Sequence, residues 1–311
     1  MEAKRVTVTG ATGLIGPRLI AALQRGGTQV TVLSRDSARA QQRLGAAGLE
    51  PVEAFDWDLM SEPAPAQALQ GRDAVVHLAG ENIAQRWSAE AKRAIRASRI
   101  TGTRNLLAGL EQADARPAAL VSSSGVGYYG AHGEEPLDED AAPGADFLAR
   151  ICVDWEQEAS NASALGMRVV LVRTGVVLDS DGGALEKMLP PFRLGVGGPV
   201  AGGRQYISWV HLDDLVGVIV AAVTDERWSG PVNATAPEPV SNRDFSRALG
   251  RALKRPALLP VPGAALSLLY GEMAEIVTKG ARVVPAKALV LGYEFAHAEL
   301  GEALASALGR D

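Results

Sequence analysis

Glycines at three-residue spacing follow the first apolar run of the chain, and a glycine turn of this kind can bind phosphate groups. Gly10 permits a tight turn, Gly13 lets the backbone approach a pyrophosphate, and Gly16 lets a helix pack closely on the preceding strand. Backbone N–H groups at the helix start then face the negative charge. The alternative is an ordinary turn. We predict a dinucleotide site made by the turn residues Gly10, Thr12, Gly13, Leu14, Ile15 and Gly16.

The end of the second predicted strand selects among dinucleotides. An NAD site places Asp or Glu there to bind the ribose hydroxyls, whereas this chain has Ser34 and Arg35. A guanidinium forms paired hydrogen bonds with a 2′-phosphate, and the Ser34 hydroxyl can donate one more. The alternative is that Arg35 is a solvated surface residue and that Asp36 binds the ribose. Ser34 and Arg35 therefore favour NADP(H) as the cofactor.

Short β-branched runs that alternate with Ala- and Leu-rich stretches must position this turn. The alternation is typical of a parallel sheet with crossover helices, and nearly continuous apolar runs indicate strands covered on both faces. The predicted strands are 5–9, 29–33, 74–78, 118–123 and 168–173, and the predicted helices are 13–25, 89–112 and 146–164. The fold class is therefore α/β, a Rossmann-type doubly wound parallel sheet with a smaller C-terminal lobe.

Glycine and proline become frequent after residue 173, which indicates a change of organisation. We predict that residues 1–173 form the NADP-binding domain and that 174–311 form a substrate-side lobe. The lobe includes a small helical C-terminal domain from about residue 260. The run 232–234 is a candidate to rejoin the first sheet, in which case the boundary is not clean.

Composition narrows the function classes. A chain of 311 residues with 47% hydrophobic residues and a net charge of -5 predicts a globular protein with a small-molecule ligand rather than nucleic acid or a membrane. The chain starts on a strand and has no apolar run of membrane-spanning length, which predicts a cytoplasmic protein. The single Cys152 excludes an internal disulfide. We expect no metal site, because the histidines are scattered in sequence: His77, His132, His211 and His297.

Several motifs together resemble the extended short-chain dehydrogenase/reductase superfamily, which includes nucleotide-sugar epimerases. They are TGATGLIG from residue 9, HLAGEN from residue 77, the serines 122–124 and WVHLDD from residue 209. More narrowly, the chain resembles an atypical, epimerase-like or cell-division-inhibitor-like branch that binds NADP and has a small C-terminal domain. That narrower resemblance rests on LAGENI, DWE from residue 154, RTGVVL from residue 173 and GGPVAGGRQYISWVHLDDL from residue 197.

The resemblance assigns further cofactor contacts. Leu78, Ala79 and Gly80 would form the wall beside the adenine ribose and pyrophosphate, although they could be plain sheet packing. Arg99 would reach the phosphates from the long helix, and its alternative is a surface ion pair. Val177 would meet the nicotinamide carboxamide through its backbone.

The chain departs from the superfamily at the catalytic YxxxK pair. In relatives the tyrosine exchanges a proton with the substrate oxygen, and the lysine lowers the pKa of that tyrosine. When the helix that ends in Trp155 and Glu156 is aligned, the two positions fall on Leu148 and Cys152. Leucine has no proton to give, and a neutral cysteine provides no cation.

Three hydroxyls remain as catalytic candidates after the fifth predicted strand. Ser124 could donate a hydrogen bond to a substrate oxygen or simply end the strand. Tyr128 and Tyr129 follow it, and either phenol could face the nicotinamide. For Tyr129 the alternative is a packed side chain, because relatives place such a tyrosine before glycine.

Polar residues of the C-terminal half could bind a ligand or take part in catalysis, but each also has an ordinary structural explanation. Lys187 and Arg204 would suit a ligand phosphate or carboxylate, or they are ordinary surface charges. His211 with Asp213 and Asp214 resembles an acid/base group, but in relatives this segment stabilises the junction between the lobes, and the aspartates suit a helix start.

Two functions of different class follow. The first is an NADP(H)-binding atypical oxidoreductase or epimerase-like protein acting on a small carbonyl or sugar-like ligand. The second is a catalytically silent NADP(H)-binding regulator or scaffold, linked to cell division by the family label. Relatives pair through two long helices, so the resemblance also implies a homodimer.

Overall fold

The strands follow the apolar, β-branched runs of the sequence. The structure, a computed structural model, describes residues 3–309. In chain order the strands are β1 (Arg5–Thr9), β2 (Gln29–Ser34), β3 (Glu53–Asp56), β4 (Ala74–His77), β5 (Ala119–Gly125), β6 (Pro136–Leu137), β7 (Arg168–Thr174), β8 (Val176–Leu178), β9 (Tyr206–Ile207), β10 (Trp209–His211), β11 (Gly230–Ala234), β12 (Val240–Ser241) and β13 (Arg282–Val283).

The helices alternate with these strands through most of the chain. They are α1 (Gly16–Arg25), α2 (Ser37–Ala46), α3 (Ala89–Glu111), α4 (Phe147–Ser160), α5 (Gly183–Arg193), α6 (Leu212–Thr224), α7 (Asn242–Leu253), α8 (Gly263–Tyr270), α9 (Glu275–Thr278), α10 (Ala286–Val290) and α11 (Leu300–Ala307). Short 3-10 helices cover Ala66–Ala68, Val126–Tyr129, Asn161–Leu165 and Gly271–Ala274.

Seven strands form one parallel sheet in the order β11-β7-β5-β4-β1-β2-β3. Successive side chains of a strand point to opposite faces. Val75 therefore packs into a core with Leu106 of α3, while Val76 packs into another with Leu19 of α1. Helices on both faces of a parallel sheet confirm the predicted α/β, Rossmann-type doubly wound fold.

The first helix starts later than predicted. It begins at Gly16 rather than residue 13, and Pro17 occupies its first turn, where the missing N–H costs nothing. Residues 11–15 are turn and bend, so the prediction of helix from residue 13 was wrong. This leaves Gly13 in an open turn instead of inside a helix.

The sequence analysis did not predict helix α2 or strand β3. Strand β3 is only four residues long and lies at the sheet edge with Glu53 and Asp56 at its ends, so it lacks an apolar run. At the other edge, β11 contains the run 232–234 and pairs with β7, with Val232 beside Val172. The sheet thus includes a strand from beyond residue 174, and the exact division into two domains stays a prediction.

The C-terminal segment returns to the first part of the chain. Strand β13 pairs in parallel with β6, which places Val283 beside Leu137. Within residues 3–309, no helix has the length and apolar character needed to cross a membrane. The cytoplasmic location stays a prediction.

Candidate cofactor and active site

The glycine turn lies where the strand order reverses, between β1 and β4. Gly10 has φ +69°, and a Cβ on it would lie 2.8 Å from the carbonyl carbon of Leu78. A Cβ on Gly16 would lie 2.2 Å from the carbonyl oxygen of Ala11. Gly13 differs, because it is exposed and its Cβ would meet only the Gly10 oxygen, at 3.3 Å. Two glycines thus allow close packing, and the third keeps the turn open.

A buried polar pair fixes the end of β4 against this turn. The Thr9 Oγ1 accepts the N–H groups of Leu78 and Ala79, both at 3.2 Å, and lies 2.8 Å from the His77 Nδ1. Burial, with a smaller effect from the nearby Arg99 charge, lowers the pKa of His77 to about 4. The neutral ring therefore serves as a fixed partner for Thr9, a role that the sequence analysis missed.

The two residues predicted to bind the 2′-phosphate lie at the end of β2, beside the glycine turn. Ser34 is half-buried and Arg35 is exposed. The Asp36 carboxylate accepts the Arg39 N–H at 2.8 Å and caps α2. Asp36 is thus already engaged in the helix cap, which weakens the alternative that it binds a ribose.

Arg99 lies on α3, and its guanidinium lies near Gly80, beyond the carboxyl end of β4. Its guanidinium donates to the carbonyl oxygens of Glu81 and Ile95 and lies 5.0 Å from the Trp155 ring centroid. A Cβ on Gly80 would be 3.5 Å from the same guanidinium. Among the described residues Arg99 forms no ion pair, so the surface-pair alternative has no support.

Val177 lies in β8, and the loop after this strand reaches the start of α1. Leu14 packs against that loop, because its Cδ1 lies 2.7 Å from the position of a Cβ on Gly182. The Val177 carbonyl oxygen is 3.8 Å from the corresponding position on Gly183. Thr12 is exposed, and Ile15 is the N-cap residue of α1. The predicted cofactor residues thus come from strand ends and loops along one edge of the sheet.

Leu148 and Cys152, which the sequence predicts at the positions of the missing catalytic pair, lie one turn apart on α4. The Leu148 Cβ and the Cys152 Sγ lie 3.3 and 3.9 Å from where a Cβ on Gly127 would be. Burial raises the pKa of the Cys152 thiol to about 11, and the neighbouring Glu156 charge adds to this. The thiol stays protonated and supplies no charge at this position.

A buried ion pair lies one helical turn beyond Cys152. The Arg173 guanidinium donates to both carboxylate oxygens of Glu156 at 2.9 Å, and their side chains are 3% and 9% exposed. The Ser124 hydroxyl donates to the same carboxylate at 2.6 Å. Ser124 is therefore committed to this pair.

The two candidate tyrosines differ sharply in their surroundings. Tyr129 is fully buried, donates to the Asn233 Oδ1 at 2.6 Å and accepts from Arg173 at 2.9 Å. Burial raises its pKa to about 12. These are the properties of a packed side chain. Tyr128 is half-buried, and its ring stacks on the Arg173 guanidinium with the centroid 3.4 Å away.

The remaining polar candidates are spread over the second half of the chain. Lys187 on α5 is exposed and donates to the Ala84 carbonyl oxygen at 2.7 Å. Arg204 is exposed. The Asp214 carboxylate accepts the backbone N–H groups of Ala296 and His297 at 2.8 and 2.9 Å, which ties α6 to the C-terminal segment and fits the structural alternative.

Two histidines that are far apart in sequence lie together in the fold. The ring centroids of His211 and His297 lie 3.8 Å apart. The Asp214 hydrogen bonds hold the C-terminal segment beside α6, which brings the two rings together. The spacing of the histidines in sequence does not predict this contact.

An all-parallel sheet with a glycine turn at its switch point defines a Rossmann-type dinucleotide-binding architecture. Residues 6–233 match the NAD dependent epimerase/dehydratase family, and residues 261–307 match a domain of unknown function, DUF1731. The chain belongs to the NAD dependent epimerase/dehydratase family. The resemblance to an epimerase-like branch with a small C-terminal domain is thereby confirmed.

Relatives within this family extend over nearly the whole chain. Identity is 42% to the Arabidopsis thaliana "Epimerase family protein SDR39U1 homolog, chloroplastic", over 96% of this chain and 85% of that protein. It is 36% to the Bacillus subtilis epimerase family protein YfhF, over 96% of each. The crystal structure of human epimerase family protein SDR39U1 (isoform2) with NADPH has a TM-score of 0.85 and 33% identity, covering 99% of this chain and 100% of that one. Its cofactor agrees with the NADP(H) prediction.

Sequence reasoning missed the roles of Thr9, His77, Glu156, Arg173 and Asn233. Glu156 and Arg173 stand in DWE and RTGVVL, motifs that supported the resemblance without a stated role. Their presence there was the only available signal. Their pairing depends on strand β7 lying beside β5 under α4, which no sequence spacing encodes.

Proposed function

We propose that this chain binds NADP(H) along the carboxyl edge of the sheet, with the pyrophosphate on the turn between Gly10 and Gly16. The open face of Gly13 carries this proposal, because the turn presents backbone there rather than side chains. The N-cap residue Ile15 offers no side-chain hydrogen bond to α1. The first N–H groups of this helix are therefore available to phosphate oxygens.

The other cofactor contacts follow from the order of the strands. Ser34 and Arg35 at the end of β2 would hold the 2′-phosphate. Leu78, Ala79 and Gly80 would line the wall at β4, and the Arg99 guanidinium beside Gly80 would add positive charge near the pyrophosphate. Val177 would meet the carboxamide at the far end.

We expect Arg35→Ala to weaken NADPH binding and leave NADH binding unchanged. A charge-assisted phosphate contact contributes about 1.5–3 kcal/mol, which is roughly 10- to 150-fold in affinity. Isothermal titration calorimetry with both cofactors measures the change, and Arg43→Ala, an exposed position on α2, is the matched control. Equal affinity of the parent protein for NADPH and NADH would refute the role of Arg35.

We further propose that the protein reduces a small carbonyl compound or sugar-like ligand with Tyr128 as proton donor. Bound NADPH supplies the hydride in such reactions. Tyr128 would give its phenolic proton to the substrate oxygen as the alcohol forms, and would regain a proton from water. This assignment follows by comparison of the three hydroxyls, since Ser124 and Tyr129 are engaged in buried hydrogen bonds. Within residues 3–309 the Tyr128 hydroxyl has no hydrogen-bond partner.

We expect Tyr128→Phe to lower kcat by about 100-fold or more, the usual contribution of a general acid, with NADPH affinity unchanged. NADPH oxidation on a panel of aldehydes, ketones and keto sugars measures this. Tyr129→Phe is the comparison, because losing its buried hydrogen bonds should lower stability rather than kcat. Parental turnover in Tyr128→Phe would rule out Tyr128 as the donor.

The second candidate function is a catalytically silent NADP(H)-binding regulator or scaffold. It is favoured by the apolar Leu148 and the protonated Cys152 thiol at the positions of the catalytic pair. This function requires that the parent protein binds NADPH and oxidises none of it on the panel. The link to cell division stays a prediction.

The predicted homodimer would use α3 and α4. Ion pairs join these helices on their exposed side, Arg96 with Asp154 at 2.6 Å and Arg104 with Glu158 at 2.8 Å. A second copy packed there would therefore meet charged side chains. The homodimer stays a prediction.

A further inference from the structure

We propose that His211, Asp213 and His297 form a binding site for a divalent transition-metal ion, with Zn²⁺ as the best fit. One ligand atom from each residue can be chosen so that all three lie within 4.8 Å of one another. Two imidazoles and one carboxylate are a ligand set that Zn²⁺ accepts, with a fourth position left to water. The three residues lie outside the proposed cofactor contacts.

Elements from distant parts of the chain hold these ligands. His211 ends β10, beside Leu178 of β8, and is 5% exposed. His297 lies in the C-terminal segment, whose backbone is held by the Asp214 carboxylate. Two ligands are thus fixed by the fold. The third, the Asp213 carboxylate, is 56% exposed and free to rotate toward an ion.

Binding requires the three ligand atoms to move closer together. The His211 Nδ1 accepts the Asp213 N–H at 3.2 Å and lies 3.8 Å from the Asp213 carboxylate oxygen, so an ion bound to this nitrogen replaces that hydrogen bond. Zinc–ligand bonds of about 2.0–2.1 Å in a tetrahedron place ligand atoms roughly 3.4 Å apart. Rotation of the exposed carboxylate and a shift of the stacked rings close this gap.

The charges around the cluster favour a cation. The negative charges of Asp213, Asp214 and Asp179 all act on His211. Imidazole binds a metal ion through an unprotonated ring nitrogen.

The test is a titration of untagged, EDTA-treated full-length protein with Co²⁺, followed by its visible absorption, and then with Zn²⁺ in competition. We expect one ion per chain in the parent protein. His297→Gln and Asp213→Asn should each weaken binding at least about 10-fold, a loss that even outer-shell changes produce at metal sites. His132→Gln, an exposed histidine elsewhere, should bind as the parent does.

Circular dichroism and NADPH affinity of each variant report on folding independently of the metal. His211 is not varied, because its ring caps α6. No Co²⁺ uptake by the parent protein would overturn the proposal. Uptake that is unchanged in both His297→Gln and Asp213→Asn would also overturn it.

Discussion

Gly13→Val is expected to abolish NADPH binding while the protein stays folded. A Cβ on Gly13 meets only the Gly10 carbonyl oxygen, at 3.3 Å, so a side chain at this position requires a small shift of that oxygen. That side chain would occupy the space proposed for the pyrophosphate. We expect affinity to fall more than about 100-fold, which corresponds to roughly 2.8 kcal/mol.

Calorimetry with NADPH and circular dichroism together test this outcome. Gly133→Val is the matched control, because a Cβ on Gly133 has no neighbour within 4 Å. Gly16→Val provides the opposite comparison, since its Cβ would collide with the Ala11 backbone and should prevent folding. A folded Gly13→Val protein with parental affinity would place the phosphates elsewhere.

Glu156→Gln is expected to lower the free energy of unfolding by about 3–5 kcal/mol, the usual cost of removing one partner of a buried ion pair. The substitution leaves the Arg173 charge buried without its counter-charge. It also weakens the hydrogen bond that Ser124 donates. Urea denaturation measures the change.

Glu275→Gln is the control for this effect. It removes the Lys279 to Glu275 ion pair, whose side chains are 49% and 50% exposed, and should cost less than about 1 kcal/mol. Replacing both charged residues by apolar ones, Glu156→Leu with Arg173→Met, should recover part of the lost free energy of unfolding. If Glu156→Gln unfolds at the same urea concentration as Glu275→Gln, the pair does not stabilise the fold.

The sequence was most informative where burial is continuous. Strand β1 has the predicted bounds, because each residue from Val6 to Thr9 is buried within the sheet and only β-branched residues occur there. The glycine turn could also be predicted from the sequence, because its glycine spacing follows directly from backbone sterics. Strand β3 was not, because a short edge strand needs few apolar residues.

Contacts between distant segments were beyond prediction from sequence. The side chains of Glu156 and Arg173 meet only because β7 inserts beside β5, and His211 meets His297 only after the C-terminal segment folds back. Local patterns determine which helices and strands form. They do not determine which polar side chains meet between those elements.

The Glu139 and Asn233 contacts have a consequence for synthesis of the protein. The Glu139 carboxylate accepts the N–H groups of Asn233 and Lys287, and the Asn233 amide donates to the Val284 carbonyl oxygen. The Glu139 carboxylate therefore gains its Lys287 donor, and the Asn233 amide its Val284 acceptor, only after the chain has been synthesised past residue 287. Until then these polar groups lack the partners that residues 284–287 provide, so this part of the interior closes only after that segment has joined it.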